Sequence, residues 1–151
     1  MRFCLERQRE SDPKYFLALR EQLEVALLEA ARAATAEPAM AQALDLMLRD
    51  KRRHAQFGWL YLSERKTQLD APAIGRRAGE MLERFYASGL MIPGYDRAAA
   101  ADVADAIESA AAAGLGMASL QDQRKALRGG LEDSRQRFAA LSIDAALRLP
   151  A

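Results

Sequence analysis

The residues best equipped for chemistry lie together at Asp50-Lys51-Arg52-Arg53-His54, in the middle of a long helical pattern. Positions three and four apart share one face of a helix, so Asp50, Lys51 and His54 point the same way. Imidazole and carboxylate are groups that hold metals. A lysine beside them cannot ligate while protonated, and its charge repels a cation. On the same stripe lie Met40, Ala43, Leu44, Met47, Phe57, Gly58 and Tyr61, so three ionisable groups interrupt an otherwise apolar seam. Unpaired buried charge is costly, and the three groups must be paired, neutralised or near water. An Asp50–Lys51–His54 network would meet part of that demand. A lone histidine on a mixed helix face is most often structural. The local residue order is what gives these positions further interest.

The elements that must position these residues are delimited by prolines and glycines. Asp12-Pro13 reads as an N-cap followed by proline in the first turn, and Glu37-Pro38 repeats the pattern. Asp70-Ala71-Pro72 opens a third segment, and Ile92-Pro93-Gly94-Tyr95 reads as a turn. Gly114-Leu115-Gly116 breaks the next segment. Ser119, with Asp122 three positions later, forms an acidic variant of a capping box. The pattern predicts five helices, near residues 13–35, 38–68, 72–89, 96–113 and 119–141. On the first, Phe16, Leu19, Leu23, Leu27, Ala30 and Ala34 define a buried stripe. Leu17, Leu28, Ala31 and Glu24 lie on one flank, while Glu21 and Glu29 are expected further toward solvent. Arg52 and Arg53 are expected to be solvated.

Composition narrows the class. The 151 residues suit one domain, with residues 1–11 expected to be flexible, 13–68 forming a helical hairpin and 72–141 adding packing helices. Half of the residues are hydrophobic and only 7% aromatic, with alanine and leucine dominant, which favours an all-α fold. The formal charge of +1 gives no reason to expect nucleic acid as a partner. No apolar run approaches a membrane span, and the charged start does not look like a secretory signal. Cys4, the only cysteine, excludes an internal disulfide and suits a reducing cytoplasm.

The run Asp50-Lys51-Arg52-Arg53-His54 resembles the Asp-Glu-x-Arg-His segment of ferritin-like di-iron carboxylate proteins. Among these, the chain resembles bacterial di-iron oxygenases related to p-aminobenzoate N-oxygenase. The resemblance runs from about Leu23 to Leu62, with a weaker echo in Gly114-Leu115-Gly116 and in Phe138-Ala139-Ala140-Leu141-Ser142-Ile143. It implies a ferritin-like bundle or half-bundle in which a Glu-x-x-His pair supplies two metal ligands. His54 corresponds to the ligating histidine. Asp50 corresponds to the acid that orients another histidine from behind. Lys51 stands in place of the ligand glutamate. Glu24 is the best-placed carboxylate on the preceding helix, with Glu21 also within reach by spacing.

A complete site takes ligands from four helices, and this chain has one histidine. The resemblance therefore implies a catalytically degenerate relative without a cofactor, acting as an accessory or structural subunit. The helices after residue 70 folding back, a homodimer, or a heterodimer with a ferritin-like protein would cover its open apolar face. One alternative is a di-iron or mononuclear iron oxygenase that assembles its site across subunits, with His54, Asp50 and Glu24 as ligands. The other is a helical interaction module whose motif match is accidental.

Overall fold

The computed structural model describes residues 13–87 and 100–148. The expected flexibility of residues 1–11, the Asp12 cap and the turn at Ile92-Pro93-Gly94-Tyr95 lie outside the described residues. The fold is all-α. Helix α1 spans Pro13–Ala34, α2 Pro38–Glu64, α3 Ala71–Ala87, α4 Ala100–Ala112 and α5 Leu120–Ala140, with a short 3-10 turn at Lys66–Gln68. The boundaries follow the punctuation. The Glu37 carboxylate accepts from the Met40 amide at 2.6 Å, and Asp70 Oδ1 from the Ala73 amide at 3.0 Å. Ser119 accepts from the Asp122 amide at 3.1 Å, capping α5 as the sequence indicates. The second helix ends four residues earlier than expected, where the chain tightens into the 3-10 turn.

α1 is the central element. It packs along α2 on one side and α5 on another, and touches α3, while α4 leans on α5. The core gathers Ala18, Leu19 and Leu23 of α1 with Trp59 and Leu62 of α2. Ile74, Ala78, Met81 and Leu82 of α3 join them, with Leu127, Leu131 and Phe138 of α5. Trp59 and Phe138 meet edge to face, with centroids 5.0 Å apart. The indole N–H of Trp59 donates to Gln22 Oε1 at 3.3 Å, and Arg137 lies over its ring at 5.6 Å.

Beyond α5 the chain turns through Ser142, whose φ is 62°, and runs back over the bundle. Ile143 and Leu147 enter the core. The Arg135 guanidinium donates to the Leu147 carbonyl, anchoring this strap. α3, α5 and the strap thus close over α1 and the Trp59–Leu62 end of α2 within one chain.

The inner face of α2 is not where the apolar stripe placed it. Leu44, Leu48, Ala55, Gly58, Trp59 and Leu62 are buried. Met40, Met47 and Phe57 are instead exposed. The helix is rotated by roughly a quarter turn from the expected setting. Gly58 helps hold the observed setting. It faces α1 so closely that a Cβ there would stand 2.6 Å from the Ala18 backbone nitrogen. α1 has two packed faces, with Leu19 and Leu23 in the core and Ala18, Glu21 and Val25 toward α2. One stripe could not describe it.

Two glycines should respond oppositely to alanine. Gly58→Ala forces α1 and α2 apart and is expected to lower stability by about 1–3 kcal/mol. Gly129 is exposed in the α5 interior with nothing within 4 Å of an added Cβ. Gly129→Ala is expected to raise stability by about 0.5–1 kcal/mol. Urea unfolding midpoints check both. A neutral Gly58→Ala would mean that the helices do not meet there.

Candidate functional site

The close approach at Ala18 and Gly58 sets the register that brings the ionisable groups together. One to two turns along from it, α1 presents Glu21 and Glu24 to α2, and α2 presents Lys51 and His54. The Lys51 ammonium lies 2.9 Å from Glu21 Oε2 and 3.2 Å from Glu21 Oε1, and pairs with Glu24 as well. Glu24 is shared, since Arg20 Nε donates to its Oε1 at 2.7 Å. His54 Nδ1 is 3.6 Å from Glu21 Oε2, and His54 Nε2 is 3.8 Å from Asp50. Two outer pairs, Arg32–Asp45 at 2.8 Å and Arg52–Glu29 at 2.7 Å, tie the same helices further along.

Burial ranks these contacts. The Glu21 side chain is only 5% exposed, Lys51 26% and Glu24 24%. Asp50 and His54 are 66% and 52% exposed. The expected Asp50–Lys51–His54 network is therefore replaced. Lys51 turns toward α1 because a buried carboxylate needs its charge there, and Asp50 remains on the water side near His54. Glu21, expected toward solvent, is the most buried member of the cluster. Its Oε2 lies beside the ammonium but makes no well-directed hydrogen bond among the described residues. Sequence reasoning preferred Glu24 and, while keeping Glu21 within reach by spacing, expected it toward solvent. The signal for Glu21 was its spacing from Ala18 and Val25, a second seam hidden behind the stronger leucine stripe. Arg52 and Arg53 are exposed, as expected.

The ion pairs fix the charge states. Burial pushes the Glu24 carboxyl up, but hydrogen bonds from Lys51 and Arg20 outweigh it and hold the group below the ordinary carboxylate range. Burial likewise pushes Lys51 down, and its bonds to Glu24 and Glu21 more than reverse this. Lys51 is a fixed cation across the physiological range.

The donor set does not fit a di-iron cluster. A cation held by Glu21, Glu24 and His54 would compete with the Lys51 ammonium, which already occupies both carboxylates. Among the described residues no group of three or more His, Cys, Asp or Glu side chains is arranged to hold a metal ion. A separate open groove of about 710 Å³ lies between α1 and α5, lined by small residues such as Ala26, Ala30 and Gly130. It shares no residue with the Lys51 cluster. No helix among the described residues is long and apolar enough to cross a membrane. Comparison with known families, curated proteins and solved structures returns no match for this chain.

Lys51→Met tests the cluster. It strands Glu21 against α2, and partial exposure brings the expected loss to about 2 kcal/mol, below the roughly 3–5 kcal/mol of a fully buried pair. Glu24 has a lowered pKa, so its contribution is present above the unfolded value and fades as pH falls through the folded one. Lys51 has a raised pKa, so its contribution is present below the unfolded value and fades only as pH rises through the folded one. The gap between wild type and Lys51→Met should thus be widest near neutral pH and narrow in acid. Unfolding midpoints across pH check this, and a gap that does not change with pH would contradict it.

Proposed function

We propose that this chain is a ferritin-like helical protein that holds no metal cluster of its own and acts by association, as an accessory or structural subunit. One observation carries the reading. The lysine ammonium of α2 sits against two carboxylates of α1, Glu21 and Glu24, where the resemblance calls for a ligand glutamate and a metal ion. Lys51 supplies internally the positive charge that a bound cation would supply to Glu21 and Glu24. The chain thereby joins α1 to α2 without a cofactor, and it keeps the packing of such a site while losing its chemistry. His54 and Asp50, the remaining residues of the motif, lie at the water-facing edge of the cluster.

Protein purified from iron-supplemented cells is expected to carry no stoichiometric metal by elemental analysis after desalting. Lys51→Glu rebuilds a Glu-x-x-His pair beside Glu21 and Glu24. That variant is expected to gain thermal stability when manganese or ferrous iron is added, whereas wild type does not. Iron retained by the wild-type chain at one or two ions per molecule would overturn the reading and favour an oxygenase that assembles its site across subunits.

A further inference from the structure

The face of α2 turned away from the core carries a second pattern that the fold does not use. Ala43, Leu46, Asp50, Arg53, Phe57 and Leu60 are spaced alternately three and four residues apart, and all six are exposed. Leu46, Phe57 and Leu60 are 52%, 55% and 56% accessible, with Met47 beside them at 49%. This spacing is that of a helix packing lengthwise against another helix. Leu48, Ala55 and Leu62 fill the opposite side of α2 and are buried. The outer seam therefore faces outward along its whole length of about 26 Å.

The order of residues in the seam selects the partner. We propose that it pairs with the same seam of a second copy of this chain, the two α2 helices running antiparallel about a two-fold axis between Asp50 and Arg53. In that register Ala43 faces the partner's Leu60, Leu46 faces the partner's Phe57, and Asp50 faces the partner's Arg53. The sequence of apolar pair, acid, base, apolar pair is complementary to its own reverse. Each small or medium side chain meets a larger one, so the layers interdigitate. The parallel arrangement instead sets Asp50 against the partner's Asp50 and Arg53 against the partner's Arg53, which like-charge repulsion opposes. Such a contact is isologous and closes at two copies. The proposal rests on the association reading above and names its surface and partner.

Light scattering tests it. The full chain is expected at twice 16.7 kDa at micromolar concentration. Leu46→Glu and Phe57→Glu should each return the single-chain mass with helical circular dichroism retained. Asp50→Arg alone and Arg53→Asp alone should weaken the dimer at least about tenfold, and the double exchange should restore it. Register is read by cross-linking in a Cys4→Ser background. A mixture of Leu46→Cys and Phe57→Cys chains should form a disulfide dimer that neither variant forms alone. A monomeric wild type, a dimer indifferent to these substitutions, or Leu46→Cys linking to itself would each overturn the proposal. So would a monomer whose seam engages a different protein. None of these outcomes alters the metal content, which separately tests the reading beneath it.

Discussion

The structure depends on one ammonium group. Glu21 sits almost fully buried on the α2 side of α1, where an unpaired carboxylate would oppose the packing of the two helices. Lys51 meets that charge directly and reaches Glu24 as well, so the polar middle of the helix pair is closed by three side chains. The apolar contacts on either side of it are ordinary. The ion pair and the close contact at Gly58 together hold this face of α2 inward.

That orientation has consequences along the whole of α2. With Lys51 and Gly58 toward α1, Trp59 and Leu62 fall into the core and Trp59 meets Phe138. Asp50, Arg53, Phe57 and Leu60 are carried to the outside by the same rotation. A lysine at this position therefore does two things that a metal-binding glutamate would not. It neutralises its carboxylate neighbours within the chain, and it leaves the site without an open coordination position. The association role proposed above builds on this closed charge cluster.

Helix number among the described residues, most boundaries and the caps at Glu37 and Ser119 were legible in the sequence, because proline, glycine and capping residues act locally. The rotation of α2 was not. Its apolar residues are distributed around both sides, since Leu46, Phe57 and Leu60 form one pattern and Leu44, Leu48 and Leu62 another. Periodicity alone gives no rule for choosing the inner one. The choice depends on Lys51 and on Gly58, whose missing side chain matters only once Ala18 is known to lie against it. The Lys51–Glu24 pair was within reach of spacing arguments. Glu21 was misplaced because the stronger stripe through Leu19 and Leu23 marks the face toward the core, and the weaker seam toward α2 contains alanine and a charge.

A double-mutant cycle on Lys51→Met and Glu21→Gln measures the central claim most directly, because it separates the pair's coupling from the effect of each truncation. If the ammonium answers the buried carboxylate, removing Glu21's charge should recover much of the stability lost in Lys51→Met. The coupling energy is then expected at about 1–2 kcal/mol. Losses that simply add, to within about 0.5 kcal/mol, would show that Lys51 and Glu21 do not depend on one another, and would contradict the account.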